Sequence, residues 1–296
     1  MIVLARLAAF VAAAALFGAP LFVLYSGRQD EAAPRLLRPV LTGAALIALL
    51  AADVALIAQT AQMAGDLRQG LNPATLHDVV IGSGFGRSIV ARACASFLAL
   101  VVLLRMPPGR RLWSLAVALG AAGLAALAWD GHGAADPGLA GGLHAAADVM
   151  HLLAAGVWLG ALLCLALGLM ARTPATEPLH RALKGFSGIG SVAVAAIIAS
   201  GLVNAWFLVG PQHLAGLVTT AWGRLLLAKL VLFAAMLGLA ALNRWRLTPR
   251  LEASLADDPA AALAALRRSL GLESALALGV LALVSVLGVL PPPASF

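Results

Sequence analysis

The sequence predicts an all-α membrane protein: a bundle of about eight transmembrane helices with both termini on the periplasmic side. Three observations predict it. The 296 residues are 62% hydrophobic and only 11% charged, where a soluble domain carries about 25% charged residues. Eight segments reach the roughly 20 apolar residues needed to cross a bilayer. The basic residues between them fall on alternate loops.

The expected spans are 2–25, 37–63, 87–105, 112–130, 143–171, 186–209, 223–246 and 268–290, within one integral membrane domain covering 1–296. The first resembles a signal peptide, but its apolar run is too long for an h-region and another span follows, so it reads as a retained helix. Loops after spans one, three, five and seven hold fourteen of the twenty Lys and Arg residues. The positive-inside rule puts those loops in the cytoplasm. An even number of spans then sends both termini outward, with loops 64–86, 131–142 and 210–222. The Asp257–Pro259 run reads as a helix start, with acid at the positive end of the dipole and proline in the first turn. The eighth helix is therefore expected to begin before its apolar part.

The net charge of +7 follows from those cytoplasmic loops and implies no nucleic-acid partner; lipid is the surrounding partner. Cys94 and Cys164 show neither a paired-loop nor a CxxC pattern, so no disulfide framework is indicated. GSGFGR at 82–87 lacks the strand and lysine of a phosphate loop. No Ser-His-Asp or paired-carboxylate arrangement stands out, and the chain is not expected to be an enzyme.

The polar residues sort to one side. His77, His132, His144, His151 and His213 lie on or near the outer face, and only His180 faces inward. Asp53, Arg92, Asp148, Asn204 and Lys229 fall roughly 8–15 Å below the outer surface at 1.5 Å per residue. Ionisable groups at that depth are functional candidates by default. His144, Asp148 and His151 are spaced i, i+4, i+7 on one helical face, which continues to Ala155 and Trp158. Imidazole, carboxylate and thioether groups bind transition metals. The candidate metal ligands are His151, Asp148, His144, His132, His77, Asp53 and Met63. Arg92, Asn204 and Lys229 are further intramembrane polar groups; Asp53, Arg92 and Lys229 equally fit interhelical ion pairs. The inner half is poor in polar groups, Glu273 and Cys164 being its main ones.

Several motifs resemble the CopD family of bacterial copper-resistance inner-membrane proteins. They are HLLAAGVWLGAL at 151–162, GHG at 131–133, FSG at 186–188, SGLVNA at 200–205, WGRLLLAK at 222–229, NR at 243–244, LRRSLGLE at 266–273 and LPP at 290–292. The resemblance covers most of the chain. It implies copper uptake from periplasm to cytoplasm, with copper ion as the cargo and a separate periplasmic copper-binding protein of the CopC type as partner. No nucleotide-binding or phosphorylated-aspartate motif is present, so transport is expected to be passive or coupled to an ion gradient. Two other readings stand beside it. One is a b-type haem redox protein with histidine axial ligands. The other is a non-transporting copper-binding or assembly protein at the periplasmic face. Imidazole with carboxylate suits Cu(II), and thioether or thiolate suits Cu(I); the residues leave the oxidation state open.

Overall fold

The computed structural model describes residues 1–26, 36–130, 138–170, 176–255 and 258–295. Eight helices among them are long and apolar enough to cross a membrane. We number these α1 (Ile2–Tyr25), α2 (Leu37–Ala64), α3 (Gly84–Arg105), α4 (Arg110–Ala126), α5 (Gly138–Leu169), α6 (Thr176–Leu208), α7 (Ala221–Leu242) and α8 (Ala260–Leu287). The described residues contain no strand. The all-α class and the eight spans read from the sequence hold, and five of the eight helix starts lie within three residues of the expected positions or coincide with them.

The two largest differences have local causes. α6 starts ten residues before its apolar run, because the basic segment Thr176–Gly185 continues the helix with Glu177 in its first turn. α8 starts at Ala260, as the acidic run predicts, and Asp258 Oδ1 accepts a bond from the Ala260 N–H at 2.9 Å. That bond satisfies one of the donors left free at a helix start. Between α2 and α3 the expected loop folds into two short helices, Leu67–Gly70 and Pro73–Gly82, capped by Asp66 and Asn72.

α1 is the central helix. It packs against α2, α4, α5 and α8. Its crossing with α5 depends on glycine: a Cβ on Gly18 would lie 2.9 Å from the Gly160 Cα and would strike the Gly156 carbonyl. Gly156 and Gly160 thus form a G-x-x-x-G notch, the small-residue contact that lets membrane helices approach closely. The notch explains the glycine spacing inside 151–162. Gly120 of α4 makes a second close approach, against Leu16 of α1.

Arg6 at the start of α1 lies beside Gly288, just past α8, and donates from Nη1 to the Asp130 carbonyl at 3.0 Å. Both chain termini therefore sit at one end of the bundle, called here the terminal end. Arg38, Arg244 and Arg267 lie toward the opposite, basic end. α2 to α4 flank α1 on one side. On the other side the pair α5/α6 faces the pair α7/α8, and α6 and α7 barely touch. A cleft runs between those two pairs.

Candidate functional site

The cleft holds the polar residues of α5. α5 and α6 are antiparallel, and two polar pairs mark their register. Asn204 Nδ2 donates to Asp148 Oδ1 at 2.6 Å. One turn deeper, His151 Nδ1 lies 3.1 Å from both the Ile197 carbonyl and Ser200 Oγ. Gly201 fits between these pairs, its Cβ position 3.5 Å from the His151 ring. SGLVN therefore reads as one α6 face: serine for the imidazole, glycine to let it in, asparagine for the carboxylate.

This geometry sets the imidazole chemistry. A carbonyl only accepts, so the ring nitrogen facing Ile197 carries the hydrogen. Nε2 is left with the lone pair, the form in which histidine binds a metal. Ser200 Oγ donates to the Ala196 carbonyl at 2.6 Å, so it also fixes the ring through its own anchored position. Asp148, one turn before His151, bonds Asn204 rather than the imidazole.

Lys229 of α7 faces the same pair from across the cleft and interacts electrostatically with Asp148 and His151. Together with Arg6 and Trp222 these residues line a cavity of about 180 Å³ at the terminal end. His151 and Lys229 also line a second chamber of about 260 Å³, otherwise apolar, which reaches Trp158 and Phe233. Trp158 in turn lines a third chamber of about 450 Å³, with Glu273, Asn243, Arg244, Lys184 and Glu252. His151 and Trp158 are seven residues apart on one face of α5, about 10 Å along the axis. The three chambers thus share wall residues in sequence, from Asp148 at the terminal end to Lys184 at the basic end.

The other residues singled out in the sequence fall as follows. His144 is buried on α5 and stacks on Phe207 of α6, ring centroids 4.6 Å apart and 6° from parallel. It also interacts electrostatically with Asp148, so His144, Asp148 and His151 do form one polar strip. His132 lies outside the described residues. Asp53, Met63 and His77 are exposed and away from the cleft. The physical reason is visible in α2, which turns the small side chains Ala44, Ala48, Ala51, Ala52, Ala55 and Ala58 to the core. Asp53 and Met63 fall off that stripe, and His77 sits on the surface of Pro73–Gly82.

Arg92 belongs to a separate cluster. Its Nη1 lies 2.7 Å from Asp130 Oδ2, and Ser88 Oγ donates to Asp130 Oδ1 at 2.7 Å. That is the interhelical ion pair named as its alternative reading, and Asp130 is the partner the sequence did not identify. Cys164 packs against α1, Sγ 3.6 Å from the Ala19 carbonyl, and is not among the residues lining the three chambers.

Among the described residues no three His, Cys, Asp or Glu side chains come together at metal-binding range. A cation on His151 Nε2 and Asp148 would complete its shell with water or with groups beyond the described residues. The buried histidines of the outer strip, His144 and His151, share one helix.

Comparison with known proteins shows the family. The family model described as copper resistance protein D matches residues 180–287, and the model of the copper resistance protein D-like N-terminal domain matches 1–142. Copper resistance protein D of Pseudomonas syringae pv. tomato is 39% identical over 290 residues, covering 94% of this chain and 92% of its own. The chain belongs to the copper resistance protein D family. Inner membrane protein YebZ of Escherichia coli K12 is 30% identical, covering 84% of this chain and 83% of its own. Copper transport protein CutJ of Bacillus subtilis 168 is 29% identical over 74% of this chain and 41% of its own. No solved structure matches. Family and apolar helices together make this a multi-pass protein of the inner membrane with a copper-related role.

Proposed function

We propose that this copper resistance family member carries copper ions across the inner membrane, from periplasm to cytoplasm, through the cleft between α5/α6 and α7/α8. The positive-inside rule sets the orientation: the basic end faces the cytoplasm and the terminal end the periplasm. Copper is the cargo, received at the terminal end from a separate periplasmic copper-binding protein of the CopC type. His144 lies on the approach, and the sequence offers His132 as a further ligand. His151 Nε2 and the Asp148 carboxylate form the first stop within the membrane.

One observation carries the reading: His151, fixed through Nδ1 with Nε2 left free, sits where two chambers of the cleft meet. A residue that only joined two helices would have no need to face a cavity. Lys229 balances the Asp148 charge while no cargo is present, and an arriving cation competes with it for the carboxylate.

The test is total cellular copper in cells expressing the wild type or His151→Ala at equal membrane levels. Raised cytoplasmic copper in the wild type, abolished by His151→Ala, supports the reading. An unchanged metal pool in the wild type would rule out transport and leave copper binding at the periplasmic face.

A further inference from the structure

Among the described residues three carboxylates lie inside the bundle, and their partners differ in charge. Asp130 has the Arg92 guanidinium at 2.7 Å. Asp148 has Lys229 across the cleft. Glu273 is 2% exposed, and its bonds come from neutral donors only: Trp158 Nε1 to Oε1 at 2.7 Å and Asn243 Nδ2 to Oε2 at 3.0 Å. A buried carboxylate without a cation is costly, and two neutral hydrogen bonds do not cancel its charge.

Three further features separate Glu273 from a structural acid. It lines the largest chamber, which opens toward the basic end. Asn243 Oδ1 is buried there without a hydrogen-bond partner among the described residues, an acceptor beside the amide N–H that Glu273 uses. Asn243 also begins a π-helical turn, Asn243–Leu247, and such turns recur at functional sites. The site is short of a positive charge and open to water.

We propose that Glu273 is the proton-carrying group of this protein, taking up and releasing one proton through the chamber at the basic end. The inference rests on the transport reading above for its consequence, namely that copper movement is coupled to proton movement. In the carboxylate form Glu273 accepts from Trp158 and Asn243. In the acid form its O–H needs an acceptor, and rotation of the Asn243 amide presents Oδ1 to it. The proton leaves as hydronium into chamber water, and the carboxylate regains both bonds. The charged groups along this route are Lys184 of α6, Arg244 of the π-helical turn and Glu252 of the following helix Thr248–Ser254. His151 and Lys229 face the adjoining chamber. Trp158 separates the two chambers, and its indole N–H is bonded to Glu273, so the protonation state acts on the partition itself.

A metal stop at Glu273 fits less well. It would need several converging ligands, whereas a proton needs one carboxyl group and partners that tolerate both forms.

The experiment has two arms on the full-length chain. In the first, purified wild type, Glu273→Gln and Glu273→Asp are followed by infrared spectroscopy through a pH titration. A buried carboxylic-acid band that titrates in the wild type, is missing from Glu273→Gln and is shifted in Glu273→Asp supports the proposal. A titration identical in wild type and Glu273→Gln overturns it. In the second arm, vesicles containing each protein and a trapped pH dye receive copper. Proton movement that accompanies copper in the wild type and falls to the level of protein-free vesicles in Glu273→Gln supports coupling. Copper flux with no proton movement overturns coupling. Wild-type vesicles that move no copper would sink the transport reading, while the infrared arm still decides Glu273. Glu273→Asp retains a carboxyl group and so separates lost proton chemistry from a damaged fold.

Discussion

The two halves of the bundle bury charge in opposite ways. In the half built on α1 to α4, Arg92, Asp130 and Ser88 close on one another, and Arg92 lines a void of only about 20 Å³. In the half built on α5 to α8, Asp148, His151, Lys229 and Glu273 face chambers of about 180, 260 and 450 Å³. An ion pair closed on itself fixes helix positions and has no room for a ligand. A polar group on a cavity wall has open space beside it, room for cargo or for the water that carries a proton. The space beside the group separates the closed cluster from the proposed site better than burial does, since Glu273 on a chamber wall is as buried as Arg92.

The sharpest way to break the comparison is to open the closed cluster. Asp130→Ala leaves Arg92 buried without its carboxylate, and breaking one partner of a buried pair costs about 3–5 kcal/mol. The expected result is a large fall in detergent melting temperature and in membrane level. Copper bound per folded molecule should stay unchanged. If Asp130→Ala protein were stable yet failed to bind copper, the first half would not be merely structural.

The second prediction sharpens the other side. Ser200→Ala removes the hydroxyl beside His151 Nδ1 but leaves the Ile197 carbonyl in place. Loss of such an orienting partner costs about tenfold in metal affinity. Copper titration of the purified variant should show that weakening, with melting temperature within error of wild type. Equal affinity would mean that Ser200 plays no part in orienting the ring.

A third change lies on the seam between the halves. Gly160→Ala places a methyl group against the backbone of Gly18, and overpacking of this kind costs about 1–3 kcal/mol. A lower melting temperature is expected, and Gly18 cannot compensate by becoming smaller. Unchanged stability would show that α1 and α5 can separate without loss.

How much of this was legible follows from what each residue depends on. Span positions depend on local composition, and the eight helices follow from it. Depth depends only on counting along a helix, so Asp148, His151, Asn204 and Lys229 could be placed in one layer. Pairing depends on helix rotation and neighbours. The spacing put Asp148 and His151 on one face of α5, but the α5/α6 register gives Asp148 to Asn204 and His151 to Ser200. Arg92 was noted at its depth, while its partner Asp130 sits at the very end of a span, where an acid reads as a loop residue. Asn243 stood at the inner end of span 223–246 and in the NR motif, but nothing local to it points to Glu273 on another helix. Rotation of α2 was the hardest to read, because a helix apolar on all sides shows no hydrophobic stripe. The signal was present in another form: its alanines recur at helical spacing, and small residues mark the packed face of a membrane helix.

The smallest expected effect tests that reading of α2. Asp53→Asn, Met63→Ala and His77→Ala alter residues that were candidate ligands by type but are exposed and away from the cleft. A carboxylate, a thioether and an imidazole would each be needed if copper were gathered across the whole terminal face. Where only the cleft holds cargo, none of the three contributes. Each variant should match wild type in copper affinity and in copper accumulated per molecule, and so should the triple variant. A loss in His77→Ala alone would extend the approach to the cleft across Pro73–Gly82. A loss in Asp53→Asn would be more damaging, because it would require a second route through the α1–α4 half, which holds its buried charges closed.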